Sequence, residues 1–276
     1  MRSKLLSLVL IVLASGRASA QSKSLAGIAH VALRVSDLDR SQNFFEALGF
    51  EKAFEFSENG KVSEVFIKVN DRQFIELYPR VQESQAIGFM HICFEATDIE
   101  ALRKAYLSMG LNAPEAKKFR AGNLLFVLHN PEGQLLEYTQ YLPGSLHDAD
   151  RGQHLGGNRI STYLLAASTP ATNLAVQREF YSGRLGFGNT ESPTVLRLPG
   201  DSEDELELKS VEKGQAAQLT FSVENTKRAG DTLKKRGLTP EVAADDLAVH
   251  DPDGNVIAFR PRLKSGKRVN VVNAMA

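Results

Sequence analysis

The chain has 276 residues, 33 basic and 33 acidic, with one cysteine and no tryptophan. So even a balance argues against nucleic acid or an anionic membrane surface as a partner, and the lone thiol, Cys93, excludes an intrachain disulfide. The length suits two domains of ordinary size, each burying its own core.

The N-terminus reads MRSKLLSLVLIVLASGRASA. Arg2 and Lys4 precede an apolar run from Leu5 to Ala14, and Ala18-Ser19-Ala20 supplies small residues at a cleavage site. The run is far short of the ~20 residues that span a bilayer, and no cysteine stands at the cleavage point to carry a lipid. Residues 1–20 therefore read as a signal peptide, and the mature chain is expected to be exported (periplasmic or secreted) and soluble. Its removal takes Arg2, Lys4 and Arg17 but no acid, leaving 30 basic against 33 acidic residues.

Beyond it, the pattern predicts a first unit of strand (28–35), helix (38–48) and three strands (about 51–57, 62–69 and 72–79). Leu38, Phe45 and Leu48 give the helix its apolar face, Asp37 its N-cap and Gly49 its end. A second unit follows in the same order: strand 88–95, helix 98–109, and strands near 112–118, 123–129 and 134–141. Pro143 to Asn158 lacks apolar periodicity and carries four glycines, which predicts a surface linker. A third unit starts at Arg159 with a strand and a helix over 171–183. A fourth starts at Gln215, with a helix over 226–236 and final strands around 245–250 and 255–260. The tail from Lys264 is expected to fray.

Two segments draw attention. GIAHVALRVSDL (27–38) and GFMHICFEATDI (88–99) each place a His near the start of an apolar strand, and each His is followed 46 residues later by a Glu in another apolar run. The pairs are His30 with Glu76 and His91 with Glu137. Strand parity puts Val31, Leu33 and Val35 on one wholly apolar face, so His30 and Arg34 look the other way. The same count groups His91 with Cys93, Glu76 with Phe74 and Tyr78, and Glu137 with Leu135 and Thr139. Two buried carboxylates beside two imidazoles call for a cation. The donor set suits a borderline divalent ion such as Zn, Ni, Co, Mn or Fe, and leaves positions for water or substrate. No P-loop, GxGxxG, GxSxG or Cys-rich zinc pattern occurs in the chain.

Four βαβββ units with His on a first strand and Glu on a last one resemble the vicinal oxygen chelate superfamily. That group includes glyoxalase I, extradiol dioxygenases and bleomycin resistance proteins. The phrases HVALRVSDLDRSQNFFEALGF, MHICFEATDIEAL and NPEGQLLEY carry the likeness. It implies an α+β fold in which paired modules make two curled mixed β-sheet cups with helices outside. Domain 1 spans 27–142, the linker 143–158, domain 2 159–262, and the tail 263–276. It further implies one divalent metal, Zn or Ni foremost, held by His30, Glu76, His91 and Glu137, with Glu76 or Glu137 as the proton-carrying catalytic residue. By the same likeness Arg34 is a candidate for an anionic substrate group, with Phe74, Tyr78 and Cys93 on the substrate side.

The His-Glu-His-Glu order is most similar to glyoxalase I and implies isomerase, lyase or epimerase chemistry on a small vicinally oxygenated molecule. An exported protein rarely meets glutathione adducts, so a different substrate is expected. An extradiol-type dioxygenase using His30, His91 and Glu137 is one alternative, and a non-catalytic ligand-sequestering protein another. The partner is a small-molecule substrate, in a monomer or homodimer. In the C-terminal half, Thr162, Glu207, Gln218 and Ala258 are expected at the places of His30, Glu76, His91 and Glu137. His129 and His250 read as structural, His147 and His154 as solvated linker residues, and the acidic run 202–207 as a solvated loop.

Overall fold

The computed structural model describes residues 24–210, 217–243 and 246–261. The expected signal peptide and tail lie outside these residues. The first half runs β1 (Leu25–Val35), α1 (Leu38–Ala47), β2 (Glu51–Glu58), β3 (Lys61–Lys68), β4 (Phe74–Pro79), then β5 (Gly88–Ala96), α2 (Ile99–Ser108), β6 (Lys117–Lys118), β7 (Leu124–His129) and β8 (Leu135–Gln140). Its eight strands form one mixed sheet in the order β2-β3-β4-β1-β5-β8-β7-β6. The two halves of this sheet meet within one chain, at the antiparallel β1–β5 pair.

The second half runs β9 (Leu164–Ala171), α4 (Leu174–Arg178), β10 (Gly188–Asn189), β11 (Val195–Arg197) and β12 (Glu205–Ser210). It continues with β13 (Gln218–Val223), α5 (Thr226–Lys235), β14 (Glu241–Ala243), β15 (Asp246–His250) and β16 (Val256–Pro261). The strand order is β10-β11-β12-β9-β13-β16-β15-β14. The fold is α+β, as read from the sequence.

Local chemistry explains the element boundaries. The Asp37 side chain accepts the Arg40 N–H and starts α1; Asp98 and Asn225 do the same for α2 and α5. Gly49 ends α1 at φ 87°, and a Cβ there would stand 2.6 Å from the Asn158 carbonyl oxygen. Only glycine fits both demands. On β1 the odd face (Val31, Leu33, Val35) is fully buried against Phe45, Leu48 and their neighbours. The core is continuous between the halves, with Phe50 against Phe221 (5.2 Å between ring centroids) and Phe94 against Phe187 (5.7 Å). Each such side chain contributes about 1.5–3 kcal/mol by leaving water.

Four expectations are corrected. The linker is no plain surface loop: Ser145 caps a short helix, α3 (Leu146–Ala149), which buries His147. Lys68, fully buried, anchors this segment through the Asp150 carboxylate (2.7 Å) and also pairs with Asp71 (2.9 Å). His154 is bonded to Asp150 as well. A buried ammonium must be paired, and the polar linker composition conceals that its carboxylate goes inward.

The first strand of the third unit begins at Leu164, not at Arg159, because residues 159–163 make the crossing between halves; Ser161 there donates to the Ser222 carbonyl. The helix expected over 171–183 begins at Leu174, capped by Asn173, and continues as a π-helical turn over Glu179–Arg184. Finally, Asp204 in the acidic run is buried, accepting the Ile28 N–H at 2.6 Å and bonded by Tyr163, so it joins the halves rather than facing water.

Candidate metal centre

Sheet register brings the four sequence candidates together. In the β1–β5 pair, His30 lies opposite Cys93 and His91 opposite Ala32. The flanking parallel strands then set Glu76 beside Ala32 and Glu137 beside Cys93. Two small side chains between the imidazoles leave room for both rings to approach. His30 Nε2 and His91 Nε2 stand 3.2 Å apart. Glu137 Oε2 is 3.4 Å from the first and 3.5 Å from the second. Glu76 Oε1 lies 3.1 Å from His30 Nδ1, and its Oε2 is 3.7 Å from His91 Nε2.

Burial dictates the charge states. It holds the His30 imidazole down at about 3 and that of His91 at about 4, so both rings are neutral at physiological pH with lone pairs free to donate. Burial raises Glu76 well above the usual carboxylate range, with Glu64 and Glu137 adding repulsion, and it raises Glu137 too. Carboxylates pushed toward their neutral form beside neutral imidazoles lack a positive charge. Donor atoms each about 2.1 Å from one ion stand roughly 3.0–3.4 Å from one another. The His30, His91 and Glu137 atoms nearly meet that spacing, so the donor set fits a divalent ion, with Glu76 just outside the tightest three.

A cavity of about 260 Å³ opens onto this cluster, walled by His30, Glu76 and Glu137 on one side and Phe56, Phe66, Tyr141 and His147 on others. Of the substrate-side candidates, Tyr78 lines it, donating to Glu64 Oε1 (2.6 Å) and approaching Glu76 Oε2 (3.1 Å). Phe74 is fully buried and packs on the His147 ring from outside the cavity wall (4.7 Å). Cys93 is likewise fully buried, its thiol pushed well up by desolvation, and grouped with His30 and Glu137 around the candidate ion. Arg34 does not join them; its guanidinium donates to the Ala86 carbonyl (3.3 Å) on exposed surface.

Sequence reasoning missed four residues of this site. Glu64, on β3, adds a third carboxylate, itself buried, whose pKa burial raises. Arg120 lines the cavity, paired with Glu58 (2.8 Å) and lying over the Phe56 ring (4.2 Å). Asn123 and His147 complete the wall. No motif marks them, because they come from β3, from the loop before β7 and from the short helix α3.

Residues 29–126 match the family model described as the glyoxalase/bleomycin resistance protein/dioxygenase superfamily, a span that includes His30, Glu76 and His91 and stops short of Glu137. These residues form a domain of that superfamily.

Solved structures extend the likeness over most of the chain. The 2,3-dioxygenase LapB from Pseudomonas sp. KL28 superposes with a TM-score of 0.64 at 15% identity, covering 87% of this chain and 93% of that one. The Mn(II)-bound glyoxalase from Novosphingobium aromaticivorans gives 0.62 at 16% identity, covering 87% and 83%. A variant of homoprotocatechuate 2,3-dioxygenase from B. fuscum gives 0.64 at 14%, covering 87% and 72%. At such identities the likeness is one of fold. No curated protein sequence matches the chain.

The superfamily domain has a plainer counterpart in the second sheet. There Thr220 pairs with Ala166 and with Ala258, while Ser168 pairs with Glu207. Register therefore puts Ala166, not Thr162, at the place of His30; the misplaced strand start shifted that position by four residues. Glu207, Gln218 and Ala258 do occupy the places of Glu76, His91 and Glu137. Among the described residues, both groupings able to hold a metal fall in the first sheet. His129 and His250 are exposed at matching strand ends.

Proposed function

We propose that the N-terminal sheet is the active site of a divalent-metal-dependent enzyme acting on a small molecule with neighbouring oxygens, by isomerase, lyase or epimerase chemistry. The observation that carries this is the convergence of His30, His91, Glu137 and Glu76, three of which, His30, Glu76 and Glu137, form one wall of an aromatic-sided cavity. His30 Nε2, His91 Nε2 and Glu137 would hold the ion, which when bound would act as a Lewis acid on substrate oxygens.

Glu76 is the proton carrier in this reading. One of its oxygens lies against His30 Nδ1 and the other against the Tyr78 hydroxyl. That contact holds the carboxylate at the cavity wall, and its raised pKa suits it to take and return a proton. The aromatic walls keep water from the exchanging proton. Superfamily membership supports the small-molecule substrate, and the Mn(II)-bound glyoxalase supports a metal in this fold.

A second reading, a ring-cleaving dioxygenase, draws on the near-equal spacing of His30, His91 and Glu137, a two-His, one-carboxylate set. Purified protein loaded with Mn²⁺ or Fe²⁺ and offered α-hydroxy ketones or catechols separates the two. Exchange of substrate C–H hydrogen with solvent supports the first, and oxygen consumption the second. We further propose export of the mature chain, on the strength of its first 20 residues, with a substrate other than a glutathione adduct.

A further inference from the structure

The segment between the halves brings to the cavity wall a residue with a buried polar atom that the protein itself does not use. His147 sits on α3 and is only 6% exposed, boxed in by aromatic rings: Phe54, Phe66 and Phe74 edge-on and Tyr141 stacked at 4.8 Å. Its ring lines the same cavity as His30, Glu76 and Glu137.

The hydrogen bonds around it settle which nitrogen carries the proton. Asn123 Oδ1 accepts the Leu142 backbone N–H at 3.0 Å, and a backbone amide can only donate. The orientation of the Asn123 amide follows, so its Nδ2 faces His147 Nδ1, at 2.8 Å. Nδ2 is a donor, so Nδ1 must be the acceptor, and in a neutral ring the hydrogen is then on Nε2. Burial keeps the ring neutral, with its pKa down at about 3. Nε2 is buried and has no hydrogen-bond partner in the protein.

A buried donor left unpaired costs stability, and this one is oriented by Asn123 and clamped by four rings. We propose that His147 Nε2–H is a substrate-binding donor, which takes an acceptor oxygen (a carbonyl, enolate, phenolate or carboxylate) of the molecule in the cavity. The inference rests on reading this cavity as the substrate site, and does not need the ion. A neutral donor matches an acceptor oxygen and offers nothing to a cationic group. The ring therefore selects oxygen-bearing substrates even among flat molecules that the aromatic walls would accept.

The test uses tropolone, a flat molecule with two neighbouring oxygens, titrated into the wild-type protein, His147→Phe and His147→Gln, with and without Mn²⁺. The His147 Nε2 resonance is followed in ¹⁵N-histidine-labelled wild-type protein. The expected result is a shift of that resonance on binding, about tenfold weaker binding by His147→Phe, and binding by His147→Gln within about threefold of wild type. Unchanged affinity in His147→Phe, an unmoved Nε2 resonance, or no tropolone binding by wild type would each overturn the proposal. Mn²⁺ binding, measured separately by equilibrium dialysis, judges the metal centre: if wild type takes no Mn²⁺, that reading fails and the metal-free titration still decides the role of His147. If His147→Phe does not fold, the wild-type resonance and His147→Gln decide it.

Discussion

His30 Nε2 and His91 Nε2 face each other at 3.2 Å although 61 residues separate them in the chain. Neutral, the two rings have at most one N–H···N hydrogen bond to share across that gap, and the nearby carboxylate oxygens add lone pairs, not positive charge. A cation between them removes the conflict.

Ion binding should therefore stabilise the fold. At an ion concentration a hundredfold above its dissociation constant, linkage supplies about 2.7 kcal/mol. For a chain of this size that is a rise in Tm of roughly 5–10 °C. His30→Ala and His91→Ala should abolish both the rise and the ion in elemental analysis. A stoichiometric ion persisting in His91→Ala would place the metal elsewhere.

The gain should depend on pH, with a sign that follows from the buried groups. In the metal-free protein the raised carboxylates of Glu76 and Glu137 cost stability as pH climbs above the normal carboxylate value, because the unfolded chain ionises first. The lowered imidazoles act at the other end. They remain neutral in the fold while the unfolded chain takes up protons, so stability falls as pH drops from 6.5 toward about 3–4. Bound metal favours ionised carboxylates and cancels only the first cost. The Tm difference with and without metal should thus grow between pH 4.5 and 7, measurable by scanning fluorimetry; a flat difference would contradict this.

Tyr78 ties two carboxylates together, donating to Glu64 and touching Glu76. Tyr78→Phe should destabilise the protein by about 1–3 kcal/mol in urea unfolding, since it strands buried acceptors. Glu64→Gln should cost less than Tyr78→Phe, because it removes a charge that repels Glu76 while keeping an oxygen for the Tyr78 hydroxyl.

Lys68 is the anchor of the segment that carries His147. Its ammonium reaches both the carboxylate (2.7 Å) and the carbonyl (2.5 Å) of Asp150. Lys68→Met should cost about 3–5 kcal/mol by taking the ammonium from the buried Asp150 carboxylate and leaving it only His154. Limited proteolysis should then cut first within residues 143–158. The double variant Lys68→Met/Asp150→Leu should recover much of the loss.

The α+β fold, and the shared face of His30, His91, Glu76 and Glu137, were legible before any coordinates, for a physical reason. Side chains alternate along a strand, so an apolar face that includes Val31, Leu33 and Val35 dictates where His30 points, and the same count serves His91, Glu76 and Glu137. Helix ends were legible because Asp37, Asp98 and the glycines act locally. Tertiary structure alone decided which strands lie side by side, and hence that His30 faces His91 across Ala32 and Cys93 while Arg34 turns out to the surface. It alone placed Ala166 rather than Thr162 opposite Thr220, since a strand's start depends on what it pairs with. And it drew His147, Asn123, Glu64 and Arg120 to the cavity: their partners are distant in sequence, and a polar segment folded inward by a buried Lys68 leaves no local pattern to read.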